Sequence, residues 1–324
     1  MTSSTLDRVE AEEIVYSEEV KRGWTDVPHI HKCIALTDYL SLSSTVLQAL
    51  VHVPAFVHWL IYSPGHSVNQ CCLEQCLVCA LIDFLSLFQM ERVYQSEKFC
   101  RIITGVSEEK DAQKYLEKFI TRLHVDFIKS YAPKRRLSLQ SERTSPVFQI
   151  FGGLWKISAL CCGKTYKILK SSLNIAVPLT SSHIQSCLDA AIQELSTKCL
   201  CSECGSELCA ASVSVDSPPT VLCLNLERFQ EDGSIDDREV LVEPRITLDK
   251  KYSYNLLSLI LANGMSREAA TYFPITICPG GVIHEFRGAS ESTPIKPVTS
   301  VEKNWTVSPI LDSSSTPTTQ VSLP

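Results

Sequence analysis

Residues 218–229 read PPTVLCLNLERF, and the interpretation of the whole chain starts from this stretch. Its central run, 221–226, is almost entirely apolar and predicts a short strand. Further short segments of this kind are predicted as strands at 148–150, 173–177 and 254–261. A helix is predicted among them, over 182–195. The second half of the chain is therefore expected to consist mainly of strands.

The first half of the chain has helical periodicity instead. Residues 41–130 are predicted to be mostly helical, because their apolar residues recur three and four positions apart. A helix over 111–129 places five large apolar residues on one face: Leu116, Phe119, Ile120, Leu123 and Phe127. Helices followed by strands predict an α+β domain with two lobes. Residues 1–30 are predicted to be an extension, and the Ser-, Thr- and Pro-rich residues 289–324 a disordered tail.

Charge and composition exclude several kinds of partner. The net charge is -6 and the basic cluster at 134–136 is short, so nucleic acid is not expected to bind. The longest apolar stretch, 76–88, contains Asp83 and is too short to cross a bilayer, so a membrane is not expected either. The first residues are polar and acidic, unlike a secretory signal. The 15 cysteines therefore predict a reducing compartment, the cytoplasm or the nucleus.

Three stretches taken together resemble the ubiquitin-specific proteases. The parts similar to the family's nucleophile helix, QDAQEFL…LH segment and PPxVLxxxLKRF strand are TVLQAL with VPAF (45–56), DAQKYL with LH (111–124) and PPTVLCLNLERF (218–229). Each motif alone is weak, but their order and spacing are specific. With Phe151-Gly152-Gly153, the resemblance covers about residues 33–273.

The resemblance implies a papain-like cysteine-protease fold of the ubiquitin-specific protease type. Its α+β domain would occupy 31–288, with a helical thumb at 31–130 and the fingers and palm at 146–288. A finer likeness is to the histone-deubiquitinating branch that works in the SAGA coactivator. That likeness rests on CLVCAL at 76–81, on the Gly152-Gly153 pair and on the cysteine pairs.

The catalytic residues that the resemblance implies are not intact in this sequence. The nucleophile position falls on Ser41, the oxyanion-hole asparagine on Leu36 and the histidine base on Thr271. A serine without a base is a poor nucleophile, leucine offers no donor to an oxyanion, and threonine does not accept a proton near neutral pH. Gly288 stands where the family places the group that orients the base. The predicted function is therefore a catalytically inactive homologue that binds ubiquitin or a protein partner.

Two other interpretations are open. An active thiol-dependent ubiquitin hydrolase requires a mis-anchored alignment or a relocated nucleophile. The chain offers Cys33 as a nucleophile and His31 and His284 as stand-in bases. The two histidines are more simply interpreted as solvated or structurally bonded side chains. Cys33 aligns with a turn glycine of the family and has no assigned base. A decaying paralogue without selected activity is the second alternative, because the catalytic positions are lost together.

The resemblance implies that some residues of the family's ubiquitin-binding surface are present. The family's QDAQ aspartate contacts an arginine of the ubiquitin tail, and it corresponds to Asp111. Gln113 and Tyr272 also match positions near the tail channel. The alternative is that Asp111 caps the third helix, a role that suits any aspartate. Lys110 and Lys114 depart from the family and oppose binding of a basic tail.

The resemblance also implies a structural zinc site in the fingers, made from two C-x-x-C pairs. Cys201 and Cys204 form one pair, whereas the other reads CCGK, so that Cys161 remains and Lys164 replaces a ligand. The candidates to complete the set are Cys162, Cys199 and Cys209. The prediction is an incomplete zinc site at Cys161, Cys201 and Cys204, with a group of reduced surface thiols as the alternative.

Overall fold

The structure of the protein is a computed structural model. It describes residues 13–18, 20, 42–66, 69, 71–89, 97–134, 136–194, 201, 204–206, 209–228, 236, 238–263, 270–277, 283–286, 293–295 and 305–312. Helices occupy the first half of the described chain and two sheets most of the second half, which confirms the predicted α+β fold. The predicted domain limits at 31 and 288 fall on residues outside the described part and stay predictions.

The first half contains seven helices in the described residues: α1 Leu42–Leu50, α2 Pro54–Tyr62, α3 Leu77–Gln89, α4 Glu97–Thr104, α5 Ala112–Tyr131, α6 Leu139–Glu142 and α7 Pro146–Phe151. The apolar face predicted for the third helix is the buried face of α5, from Leu116 to Phe127. This face packs against α1, α3 and α7. The helical core therefore forms around α5, as its periodicity predicted.

The segment 148–150 is helical, so the predicted strand there is wrong. It belongs to α7, which begins at Pro146 with Ser145 as its N-cap. The Ser145 hydroxyl accepts from the Phe148 amide at 3.1 Å. A serine cap followed by proline at the first helical position is a strong start signal for a helix, and it outweighs the β-favouring composition of three residues.

A three-stranded sheet forms the first β-unit, in the order β2-β1-β4. Its strands are β1 Gly153–Cys161, β2 Lys164–Ser172 and β4 Cys209–Ser217. Cys162 and Gly163 form the turn of the β1–β2 hairpin, with φ of 52° and 71°. Both values lie in the left-handed region that two-residue hairpin turns require. The turn carries a cysteine beyond the end of the sheet.

The larger sheet has eight strands. They are β3 Ile175–Pro178, β5 Val221–Glu227, β6 Arg245–Leu248, β7 Tyr252–Asn263, β8 Thr271–Ile277, β9 Ile283–Glu285, β10 Thr293–Ile295 and β11 Trp305–Asp312. Seven follow the order β10-β9-β8-β7-β11-β5-β3, and β6 pairs with β7. Helix α8, Ile184–Glu194, packs on β3 and β6. The predicted strands 221–226 and 254–261 and the predicted helix 182–195 are confirmed, and 173–177 overlaps β3.

The prediction of a disordered tail over 289–324 is wrong for two segments. Thr293–Ile295 pairs with β9, and Trp305–Asp312 lies between β7 and β5 in the middle of the sheet. The Ser, Thr and Pro content of the tail concealed the sequence WTVSPILD, which is rich in β-favouring residues. A composition average over the tail cannot show that a central position between two distant strands stabilises such a segment.

No single helix among the described residues is long and apolar enough to cross a membrane. Helices α1 and α2 reach that length and composition only as a pair bent by 84°.

Candidate functional site

The start of α1 lies against the start of β8. The Thr45 hydroxyl, in the first turn of α1, donates to the backbone carbonyl of Tyr272 at 3.0 Å. Both residues are buried. Thr271 is the first residue of β8 and is exposed. Helix α1 begins one residue after position 41, so the two elements that the alignment assigns to the nucleophile and the base are in contact.

Ser41, Leu36 and Gly288 lie outside the described residues, as do His31 and Cys33.

The stand-in base His284 is remote from Thr271. It lies in β9 opposite Thr276. Thr276 is five residues from Thr271, or about 17 Å along the strand. His284 therefore cannot act as a base for a group at the start of β8.

The three residues predicted to bind the ubiquitin tail lie close together and are buried. Asp111 is the N-cap of α5, and its Oδ1 accepts from the Gln113 amide at 2.9 Å. The Gln113 Nε2 group donates to the carbonyl of Leu226 in β5. The Tyr272 hydroxyl donates to the carbonyl of Lys110 at 2.8 Å. The exposed fractions of Asp111, Gln113 and Tyr272 are 3%, 9% and 4%.

These contacts form a seam between the start of α5 and the larger sheet. Two side-chain hydrogen bonds cross it, one to β5 and one from β8. Lys110 and Lys114 are exposed on its helical side. The seam is therefore held by two side-chain hydrogen bonds and has two positive charges beside it.

The finger cysteines form a compact cluster of four sulfurs: Cys161, Cys162, Cys201 and Cys204. The Cys161 sulfur is 3.8 Å from that of Cys162 and 3.4 Å from that of Cys204. Tetrahedral zinc with four thiolates places sulfurs about 3.8 Å apart. The cluster therefore fits zinc, and Cys162 is the cysteine that lies where the fourth ligand would be. Cys199 lies outside the described residues.

Hydrogen bonds in this cluster favour the thiolate form of Cys204 and lower its pKa. Hydrogen bonds from Ser206 and then from Cys161 lower the pKa of Cys204 to about 6. The bond to Cys204 raises the pKa of Cys161 to about 12, because Cys161 keeps its proton as the donor. A bound cation would favour the thiolate form of every sulfur.

A second cluster was not predicted as a metal site: His66, Cys71, Cys76 and Cys79. Its ligand atoms all lie within 4.8 Å of one another. His66 Nε2 is 2.9 Å from the Cys79 sulfur and 3.6 Å from that of Cys76. One imidazole with three thiols is a common structural zinc set. In the sequence, residues 76–81 support only the likeness to the SAGA branch. The C-x-x-C spacing of Cys76 and Cys79 is nevertheless a usable signal for a metal site.

Neighbouring groups favour binding of a cation at the second cluster. A hydrogen bond from the Cys79 thiol lowers the pKa of Cys76 to about 4. His66 Nδ1 lies 2.8 Å from the Ser130 hydroxyl, which itself donates to the carbonyl of Phe127. Nδ1 is therefore the donor in this pair, and the lone pair of Nε2 faces the sulfurs.

Comparison of the sequence with known proteins finds a family and relatives that match most of the chain. The sequence model of the ubiquitin carboxyl-terminal hydrolase family matches residues 35–276. Ubiquitin carboxyl-terminal hydrolase 36 of Drosophila virilis is 22% identical over 290 residues, covering 79% of this chain and 23% of that protein. The protein of the same name in Drosophila erecta is 25% identical over 284 residues, covering 76% and 25%. This chain spans about a quarter of the length of these curated relatives.

Solved structures of the same fold come from the SAGA deubiquitinating module. A yeast module has a TM-score of 0.66 at 18% identity, covering 96% of this chain and 73% of that chain. A module of Ubp8, Sgf11, Sus1 and Sgf73 bound to monoubiquitin has a TM-score of 0.65 at 18% identity, covering 95% and 74%. These likenesses concern the fold, whereas the family match extends over most of the sequence. The chain therefore belongs to the ubiquitin carboxyl-terminal hydrolase family.

Proposed function

We propose that this family member is catalytically inactive and binds ubiquitin, or a protein that carries it, where active members hold their substrate. The observation that supports this is the hydrogen bond from Thr45 to the carbonyl of Tyr272, which holds α1 against β8. In the alignment these elements carry the nucleophile and base positions, occupied by Ser41 and Thr271. The frame of a protease cleft is retained, and its reactive groups are replaced.

The chemistry of these replacements supports inactivity. Loss of one oxyanion donor, as with Leu36, adds about 3–4 kcal/mol to the barrier of acyl transfer. Thr271 cannot take a proton from a nucleophile near neutral pH. Loss of the group that orients a catalytic imidazole costs about 10⁴ in rate in a related triad, even when the imidazole is present. Together these losses remove most of the rate enhancement of a cysteine protease.

Ubiquitin is the proposed partner because the positions matching the family's tail contacts persist. We assign this role to Asp111, Gln113 and Tyr272. The monoubiquitin held by the SAGA module, which shares this fold, also supports it. Because two hydrogen bonds across the seam must be exchanged and Lys110 and Lys114 lie beside it, we expect weak binding. The cytoplasm or the nucleus is the compartment in which such a partner would be met.

A structural role for zinc belongs to the same proposal. The four finger cysteines would hold one ion, and His66 with Cys71, Cys76 and Cys79 would hold another. Bound zinc supplies cross-links between segments that are distant in sequence. The residues themselves contribute the sulfur ligands, the orientation of His66 by Ser130, and the turn that presents Cys162.

Two assays test the proposal. The purified chain is incubated with a fluorogenic ubiquitin-tail amide and with ubiquitin vinyl sulfone, alongside an active family member. We expect neither turnover nor a covalent adduct. An adduct that disappears on substitution of one cysteine would establish the active hydrolase instead. A titration with monoubiquitin should give saturable binding; no binding at millimolar concentration would favour the decaying paralogue.

A further inference from the structure

The segment 13–20 of the extension, described at 13–18 and 20, packs on the helical half of the molecule, and we call it the N-terminal strap. Its Glu13 amide donates to the Ser141 hydroxyl at 3.0 Å, and its Val15 amide donates to the Thr144 hydroxyl at 2.8 Å. The buried side chains of the strap are Val15, Tyr16 and Val20. It is thus held by hydrogen bonds at one end and by a few apolar side chains.

Tyr16 is the strap residue that reaches furthest into the helical half. Its hydroxyl donates to the carbonyl of Ser63 at 2.7 Å, and its ring meets that of Phe127 edge-on at 6.3 Å. The ring also lies over Gly65, where a Cβ atom would come within 2.8 Å of it. Gly65 has φ of 57°, a left-handed conformation that suits glycine. The contacts of Tyr16 therefore depend on the conformation of the turn 63–66.

The same turn ends in a ligand of the second cysteine cluster. His66 follows Gly65, and its Nε2 faces the sulfurs of Cys76 and Cys79. The ring of Phe127 lies 6.3 Å from that of Tyr16 and 6.4 Å from that of His66. The cluster and the strap thus share one short turn and one aromatic side chain.

We propose that a metal ion at His66, Cys71, Cys76 and Cys79 controls docking of the N-terminal strap. With His66 held by the ion, the turn 63–66 keeps the left-handed Gly65 and the Ser63 carbonyl in place for Tyr16. Without the ion, the turn has fewer restraints and the strap loses its anchor. Linkage is reciprocal, so docking of Tyr16 also increases affinity for the ion.

Hydrogen exchange of the full chain measures docking, with Zn²⁺ as the ion. In a Cys79→Ser variant, the Glu13 and Val15 amides should exchange about tenfold faster than in the zinc-loaded wild type. The matched control is Cys204→Ser, which removes a ligand from the finger cluster and should leave strap exchange unchanged. Amides in the middle of α5 must keep their protection, which separates undocking from unfolding. Unchanged strap exchange in Cys79→Ser, with one zinc ion lost, overturns the proposal.

A reciprocal experiment keeps every residue of the second cluster unchanged. In Tyr16→Ala the strap anchor is removed while all ligands remain. Competition with a zinc chelator should show about tenfold weaker binding at one of the two sites, and wild-type affinity at the other. Adding Cys204→Ser leaves the site near the strap as the one measured. Equal affinity with and without Tyr16, or no zinc at that site in the wild type, overturns the proposal.

Discussion

The Tyr272 hydroxyl in β8 donates a hydrogen bond to the backbone carbonyl of Lys110, the residue before the N-cap of α5, across 2.8 Å. Tyr272→Phe deletes this bond without changing the shape of the ring. We expect the free energy of unfolding to fall by about 1 kcal/mol, because the lost bond is partly buried. Hydrogen exchange should also increase in the first turn of α5, since one of the two bonds of the seam is gone. Chemical denaturation and exchange measure the two effects.

A matched control exists within the larger sheet. Tyr254 donates its hydroxyl to the carbonyl of Pro219, also at 2.8 Å, and this bond is buried whereas that of Tyr272 is partly buried. Tyr254→Phe should cost at least as much free energy but leave the first turn of α5 protected. If both variants expose α5 equally, the bond from Tyr272 has no special role in closing the seam.

Asp111 offers a substitution that separates capping from recognition. Asp111→Ala removes the cap of α5 and should lower stability by about 1 kcal/mol. Asp111→Asn keeps a capping oxygen and should change stability little. Asparagine cannot form the charge-assisted bond that we propose with a ubiquitin arginine, so affinity for monoubiquitin should fall by about tenfold or more. Equal affinities of wild type and Asp111→Asn would mean that Asp111 caps α5 and does not bind ubiquitin.

Helices and strands could be predicted where their sequence signal lies within a few neighbouring residues. The helix over 111–129 and the strand over 221–226 were found because periodicity and apolar runs are carried by neighbouring residues. The strand Trp305–Asp312 was missed because its stabilising partners, β7 and β5, begin more than 50 residues earlier in the chain. At 146–151 two local signals compete, and the Ser145-Pro146 start of a helix is stronger than the β-favouring composition of 148–150.

For the same reason, some residues of the candidate site could be predicted from the sequence and others could not. Asp111, Gln113 and Tyr272 were brought together by alignment to a family, not by anything local in the sequence. Cys162 could not be chosen over two other cysteines until the hairpin turn showed where its sulfur lies. His66 carries no signal of its own, since it is separated from Cys76 by ten positions and meets the cluster through folding.

His124 predicts a loss of stability in mild acid. Burial lowers its pKa to about 4 from an ordinary value of 6.5, and its Nδ1 lies 2.9 Å from the Ser145 hydroxyl. Between these two pH values the unfolded chain binds a proton that the folded chain does not. Stability therefore falls as the pH is lowered from 6.5 towards 4, by up to about 3 kcal/mol. Denaturation at several pH values should show a smaller slope for His124→Asn; equal slopes would contradict the prediction.

The zinc content of cysteine variants tests the finger cluster. Cys162→Ser should weaken zinc binding there by more than the roughly 10–100-fold that loss of an outer-shell partner costs. Cys209→Ser is the matched control, because Cys209 was the rival candidate for the same ligand position. Native mass spectrometry of the wild type should show two ions per chain, and Cys162→Ser should retain the one at His66. Loss of zinc from Cys209→Ser instead would mean that the ligand set is different.

Partial repair of the catalytic positions should not restore activity. The double variant Ser41→Cys plus Thr271→His regains a thiol and a nominal base, and such a pair lowers a thiol pKa. Its oxyanion would still face Leu36, and no side chain at position 288 would orient the imidazole. Members of a triad act as a unit, so two repaired positions recover little of the lost rate.

The informative comparison is with a quadruple variant that adds Leu36→Asn and Gly288→Asp, assayed on a ubiquitin-tail amide at equal folded fraction. The quadruple variant should exceed the double variant, because an oxyanion donor is worth about 10²–10³ in rate and an orienting carboxylate about 10⁴. Robust cleavage by the double variant would mean that other residues already supply both functions. The proposal of inactivity would then rest on Ser41 and Thr271 alone, and the fold would be two substitutions away from a working protease.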